Sequence, residues 1–149
     1  MLALVALLAS GCAHGLPGDP APPIAFSVNA SHALSAVKVL LCPRERVMSI
    51  VLSRDVGTDA AKAGPILWWI DATGASTAAT FEPGKLVEGF RTVVAASLPI
   101  TGSIVADLRT TSATFEDVTD TSLAPAGSTL LSGQTLDSKL EQLVIKDRC

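Results

Sequence analysis

Histidine is scarce in this sequence, and the classical catalytic motifs are missing. Only His14 and His32 are present, whereas most Ser-His-Asp and Cys-His sites need a histidine as the base. The chain also lacks a G-x-S-x-G elbow, an H-E-x-x-H helix and a phosphate-binding glycine loop. We therefore predict no catalytic residues and no cofactor.

Clustered positive charge is also lacking. The formal net charge is −3, and no group of lysines or arginines stands out along the chain. Nucleic acids are bound mainly through such basic groups, so we predict no nucleic acid partner. A zinc site is not expected either, because zinc ligands usually come as C-x-x-C pairs or several histidines.

No apolar run is long enough to cross a membrane as a helix. The most apolar stretch, from Leu2 to Ala9, is less than half of the roughly 20 residues required. A short apolar segment followed by small residues is typical of a secretory signal peptide, which we place at residues 1–11. A buried strand is the alternative interpretation of this segment.

The predicted leader ends in small residues just before a cysteine. Residues Ala9-Ser10-Gly11-Cys12 resemble the lipobox of bacterial lipoproteins. The resemblance implies a diacylglyceryl group on Cys12 and an extracytoplasmic protein anchored to the bacterial cell membrane. Plain secretion is the alternative, with Ala9 and Gly11 forming an ordinary small-x-small cleavage site.

The three cysteines fit this assignment. If Cys12 is lipidated, Cys42 and Cys149 remain as a pair in a compartment where disulfides persist. Their bridge would enclose nearly the whole domain and stabilise it by roughly 4 to 5 kcal/mol. Two separately buried thiols are the alternative.

Composition divides the rest of the chain into a tether and one domain. Residues 12–23 contain four prolines and two glycines, and an extended Pro-rich spacer of this length spans roughly 30 Å. Residues 24–149 suffice for one domain and are too few for two.

Short apolar segments with period-2 alternation, separated by Gly/Pro turns, predict an all-β fold. We expect a single small antiparallel β-sandwich, or a barrel, closed by one disulfide. The predicted strands span residues 24–28, 36–41, 46–54, 66–71, 90–98 and 103–110, with weaker strands at 113–118 and 128–132 and a last one around 139–149. Residues 55–65 are predicted to form a loop.

Trp68 and the expected two-cysteine bridge give the domain a loose resemblance to immunoglobulin-like sandwiches. If Trp68 joins Ile66 and Ile70 in the core, Trp69 faces outward beside Leu67, because successive side chains of a strand point to opposite faces. An outward Trp69 is a candidate partner contact. Burial of both rings is the alternative.

Acidic residues form the remaining polar cluster. Glu116, Asp117 and Asp120 lie close together in TFEDVTDTS and are candidates for weak calcium binding, although they lack the register of a known calcium loop. A solvated acidic loop is the simpler interpretation. His32, in a polar stretch, is expected at the surface.

These features predict a membrane-anchored, non-enzymatic lipoprotein with a binding or structural role in the cell envelope. Its partners would be the membrane, through the lipid anchor, and an envelope protein. A phage-encoded superinfection-exclusion lipoprotein is one alternative. An envelope hydrolase using His32 or the carboxylates and a carrier of an apolar ligand are the others.

Overall fold

The alternating apolar segments assemble into two antiparallel sheets that pack together as a sandwich. The computed structural model describes residues 21–149; the predicted leader, Cys12 and most of the tether lie outside this range. The all-β prediction is confirmed, with two separate sheets in place of a closed barrel. One helix follows the last strand.

Sheet A has the strand order β10-β9-β1-β2-β5. Its strands are β1 (Ile24–Val28), β2 (Leu34–Val39), β5 (Thr80–Phe81), β9 (Thr129–Leu131) and β10 (Gln134–Thr135). Residue Pro23, assigned to the tether from the sequence, already belongs to the domain, because it is buried and its carbonyl accepts a hydrogen bond from the Leu40 amide at 2.9 Å.

Sheet B has the strand order β6-β4-β3-β7-β8. Its strands are β3 (Val47–Asp55), β4 (Ala63–Ala72), β6 (Phe90–Val94), β7 (Ser103–Thr110) and β8 (Thr114–Asp120). The loop predicted at residues 55–65 is shorter in the structure. Asp55 and Ala63 belong to strands, and the Asp55 carboxylate accepts the Gly57 and Lys62 amides at 2.9 and 3.0 Å across the turn.

The core lies between the two inner faces. Its largest fully buried side chains are Trp68, Phe26, Phe81, Ile24, Leu40, Ile50, Leu52, Ile100, Ile104, Leu108, Val28 and Val37. Phe81 and Phe90 meet edge to face, with ring centroids 5.0 Å apart, where the β5 edge of sheet A lies over the β6 edge of sheet B. Aromatic pairs favour this geometry.

A β-bulge in β4 changes the predicted side-chain pattern. Leu52 pairs with Trp68, but the next residue of β3, Ser53, pairs with Ile66, so Leu67 is the extra residue. A bulge breaks the alternation of faces. Consequently Leu67 packs in the core beside Trp68, while Ile66 is 40% exposed. The prediction that Ile66 is buried and Leu67 faces outward was wrong.

The last element is a helix, and the strand predicted around residues 139–149 was wrong. Helix α1 (Ser138–Arg148) begins after Asp137, whose side chain accepts a hydrogen bond from the Leu140 amide at 2.8 Å. This is a typical N-cap, and Lys146 and Arg148 in the last turn complement the helix dipole. Within residues 21–149, no helix has the length and apolar content needed to span a membrane.

Candidate functional site

The two sheets differ in what covers their outer faces. Helix α1 packs on sheet A, where Val144 joins Ala25, Leu40 and Leu131 in a second apolar cluster. We call this surface the covered face. Because α1 is the one helix of residues 21–149, no helix of this part of the chain covers the outer face of sheet B, which we call the open face.

A row of polar side chains crosses the open face. Arg91 of β6 pairs with Asp71 of β4, Asp71 with Ser49 of β3, Ser49 with Arg109 of β7, and Arg109 with Thr114 of β8. Each pair lies directly opposite on antiparallel strands, so all five residues belong to one face. Two arginines and one aspartate therefore share this row with the hydroxyl groups of Ser49 and Thr114.

The neighbouring row carries Trp69. It runs from Val94 through Trp69, Val51 and Asp107 to Glu116. Trp69 is half-buried, in contrast to Trp68, which is 1% exposed. The two rings therefore lie on opposite faces of the sheet, and the interpretation in which both are buried was wrong.

The short side chains of β3 leave a groove between the larger side chains of β4 and β7. Ser49 and Val51 lie between Trp69 and Asp71 on β4 and the pair Asp107 and Arg109 on β7. All six line one depression of about 270 Å³. We call it the β3 groove, because its floor follows that strand.

Hydrogen bonds fix one wall of the β3 groove. The Trp69 indole Nε1 donates to the Asp71 carboxylate at 2.7 Å, and an Arg91 guanidinium nitrogen lies 3.7 Å from the other oxygen of Asp71. Burial alone would raise the pKa of Asp71, but the hydrogen bonds from Trp69 and Ser49 and the charges of Arg91 and Arg109 outweigh it and lower that pKa. The carboxylate therefore stays ionised and orients the indole.

The disulfide lies at one end of the sandwich. Cys42, just after β2, is joined to Cys149, which follows the last residue of α1. The predicted pairing is present, and it indicates an oxidising, extracytoplasmic environment. Cys149 is exposed, whereas the immunoglobulin bridge lies between the sheets beside a tryptophan.

A buried ion pair supports the disulfide. Glu45 and Arg148 form it with side chains 2% and 6% exposed, and one guanidinium nitrogen donates to both carboxylate oxygens at 2.9 and 3.0 Å. Glu45 also accepts the Cys42 amide at 2.9 Å and hydroxyl hydrogen bonds from Thr110, at 2.7 Å, and Ser112.

The same network determines the titration of Glu45. Burial would raise the pKa of Glu45, but the hydrogen bonds from Arg148, Ser112, Cys42 and Thr110 lower it to about 2. Arg148 also donates to the Leu40 carbonyl, and its guanidinium carbon lies 5.0 Å from the Phe115 ring centroid. A cleft of about 780 Å³ opens here, and two of its four charged residues, Glu45 and Arg148, bind each other; Arg44 and Asp147 are the others.

The predicted calcium ligands are not assembled into a metal site. Glu116 and Asp117 are successive residues of β8 and point to opposite faces. Asp120, at the end of the strand, accepts hydrogen bonds from the Ser122 amide and hydroxyl at 2.9 and 2.6 Å. Within residues 21–149 no group of three or more His, Cys, Asp or Glu side chains is arranged to hold a metal ion.

Asp117 instead faces the interior from an edge strand. It pairs with the core residue Ala106. Its Oδ1 accepts the Val118 amide at 2.9 Å, and its buried Oδ2 has no hydrogen-bond partner. Burial raises the pKa of this carboxyl to about 6, although the Val118 hydrogen bond opposes the shift.

His32 lies in the turn between β1 and β2. It is exposed, its backbone φ is 55°, and its Nδ1 is 3.1 Å from the Ala124 carbonyl oxygen. Among the hydrogen bonds of residues 21–149, no carboxylate contacts the ring. The structure therefore does not combine His32 with an acidic side chain into a catalytic pair.

Sequence reasoning identified Trp69 and the two cysteines but missed their partners. The Asp71, Ser49 and Arg109 row is visible only once the strand pairing is known. The ion pair of Arg148 had one signal in the sequence. Arg148 is next to Cys149 and Glu45 is near Cys42, so a Cys42–Cys149 disulfide brings the two charges close together. Comparisons of this chain with models of protein families, with curated proteins and with solved structures find no match.

Proposed function

We propose that this protein is a lipid-anchored extracytoplasmic lipoprotein that binds another component of the cell envelope, without catalysis. The lipobox-like residues before Cys12 support the anchor, and the Cys42–Cys149 disulfide agrees with an oxidising compartment. The observation that carries the binding role is the open face of sheet B, with Trp69 beside the β3 groove.

The composition of the open face supports binding over a purely structural role. Tryptophan and arginine are enriched where protein surfaces carry binding energy, and Trp69 lies here in the row next to the one that contains Arg91 and Arg109. Phe26, Trp68 and Phe81 fill the interior between the sheets, which favours surface binding over carriage of an apolar ligand. The separation of His32 from carboxylates favours it over hydrolysis.

The anchor is tested by the mature amino terminus. Mass spectrometry of the protein from membranes should find a diacylglyceryl group on Cys12, and Cys12→Ala should release the protein from the membrane fraction. A Cys12→Ala protein that stays in the membrane fraction would rule out the lipid anchor. An unmodified chain beginning near Cys12 in the medium would indicate plain secretion.

The binding role is tested on the anchored, full-length protein. Capture from detergent-solubilised envelopes should yield a component that wild type retains and Trp69→Ala loses. Leu143→Ala is the matched control, because Leu143 is 47% exposed on α1, away from the open face. Equal capture by wild type and Trp69→Ala would contradict a binding role for this face.

A further inference from the structure

The dimensions of the β3 groove limit what it can hold. Its walls stand on β4 and β7, the two neighbours of β3, so their backbones are roughly 10 Å apart. A helix about 10–12 Å across does not fit between side chains on these strands. An added strand is excluded as well, because both edges of β3 are already paired. The groove therefore suits a thin ligand that contacts side chains only.

One wall of the groove carries a flat apolar ring. Trp69 of β4 provides it beside Val51 of the floor, and the hydrogen bond from Nε1 to Asp71 holds the indole in place before any ligand arrives. Preorganisation of this kind lowers the entropic cost of binding. A ligand with a flat face of C–H groups is complementary to such a ring.

The opposite wall offers a donor and an acceptor of opposite charge. Asp107 and Arg109 are two residues apart on β7 and lie on the same face. Within the described part of the chain, neither side chain makes a hydrogen bond or an ion pair; the nearest ion pair of this face joins Arg91 to Asp71. The charges of Asp107 and Arg109 cancel on this wall, and Arg91 compensates the Asp71 carboxylate on the other wall, so the groove suits a neutral ligand. Hydroxyl groups can donate to the carboxylate and accept from the guanidinium.

We propose that the β3 groove binds a neutral saccharide, with one sugar ring stacked on Trp69 and its hydroxyls bound by Asp107 and Arg109. A pyranose ring combines a C–H face with hydroxyls that both donate and accept, which matches the two walls. The inference rests on the proposed binding role of the open face and names the chemical class of its ligand.

Titration with soluble neutral oligosaccharides tests this assignment. An N-acetylglucosamine tetrasaccharide and cellotetraose are the probes, with calorimetry and tryptophan fluorescence as readouts. At least one of them should bind wild type and change its fluorescence. Trp69→Ala should weaken that binding by at least roughly 30-fold, the loss typical of a hot-spot tryptophan. Trp69→Phe should keep weaker binding but lose the fluorescence change, because buried Trp68 is then the remaining indole.

A substitution on β7 distinguishes binding in the groove from binding elsewhere on the open face. Asp107→Asn should weaken the same binding, whereas Glu116→Gln should leave it unchanged, since Glu116 continues the row of Asp107 but does not line the groove. Equal losses in the two variants would overturn the assignment.

Two negative results have different meanings. If neither tetrasaccharide nor a panel of insoluble neutral polysaccharides binds, while the envelope capture still depends on Trp69, the saccharide assignment is overturned and the proposed function stands. If the capture is also independent of Trp69, both fail. The Trp69→Phe variant keeps the test valid if Trp69→Ala does not fold, as judged by its melting curve.

Discussion

The covered face and the open face differ in what packs on them. On sheet A, an apolar cluster packs α1 across the strands, and at the end of the sandwich a buried ion pair and the disulfide fasten the end of this helix. On sheet B, a row of polar side chains with three charged members crosses five strands, and Trp69 borders a groove. The difference teaches that the contacts holding α1 lie on sheet A and at the end of the sandwich, where Glu45 also accepts a hydrogen bond from Thr110 of β7. No helix of residues 21–149 occupies the open face, which presents polar side chains instead.

Removing the disulfide should cause the largest loss of stability, and the covered face should be affected first. The bridge encloses a sequence separation of 107 residues, and its loss through Cys149→Ser should lower the free energy of unfolding by about 4 to 5 kcal/mol. Urea unfolding measures the change, and reduced wild type is the control, which should match the variant. In hydrogen exchange, α1 amides should lose protection before those of β3 and β7. Uniform loss in both sheets would contradict the comparison.

Loss of the buried ion pair between Glu45 and Arg148 should have the second-largest effect on stability. Because the pKa of Glu45 falls from 4.5 unfolded to about 2 folded, its ionised form stabilises the protein by about 3 kcal/mol at neutral pH. That contribution is complete above about pH 4.5 and disappears as the pH falls towards 2. Glu45→Gln should therefore lose about 3 kcal/mol at neutral pH, and the difference from wild type should vanish near pH 2.

A second acidic residue serves as the control for this prediction. Glu141 on α1 makes a half-exposed ion pair with Lys38 at 2.8 Å, and pairs of this kind contribute at most about 1 kcal/mol. Glu141→Gln should cost less than that at every pH. A Glu45→Gln loss no larger than that of Glu141→Gln would show that burial does not strengthen the first pair.

The smallest change in the free energy of unfolding is expected for Asp117 on sheet B, where substitution should stabilise the protein. The pKa of Asp117 is about 6 in the folded chain, above the ordinary 3.8, so ionisation destabilises the fold as the pH rises through this window. The full shift corresponds to about 3 kcal/mol, which solvent screening reduces because Asp117 is only partly buried. Asp117→Asn should therefore raise the free energy of unfolding by about 1–2 kcal/mol near pH 8 and leave it unchanged below about pH 4. Glu116→Gln, on the opposite face of the same strand, is the control and should change neither value. A gain from Asp117→Asn that does not vary with pH would contradict the assignment.

The sequence was most informative where alternation and turns agree. The predicted strands at residues 24–28 and 103–110 have the same bounds in the structure. Prediction failed at Leu67, because a bulge depends on how β4 pairs with β3 and no local signal marks it. The apolar run Leu143-Val144-Ile145 fits a strand or a helix equally well. The N-cap Asp137 and the basic last turn were the signals that favoured the helix.

The candidate site was predictable only in part. Trp69 was identified as a candidate because a tryptophan on the outward face of a strand suggests a binding contact by itself. Arg91, Asp71 and Arg109 come from three different strands, and only the sheet order places them in one row. Asp117 was grouped with Glu116 and Asp120 by proximity along the chain, whereas strand geometry sends it to the opposite face.

The position of β1 determines how the domain responds to tension. The chain leads into β1 through Pro23, and β1 lies between β2 and β9, hydrogen-bonded on both sides. A pull on the residues before Pro23 acts along the strand axis, perpendicular to these hydrogen bonds. Such a pull loads these hydrogen bonds in shear, so an amino-terminal attachment would distribute its force over both neighbours of β1 at once.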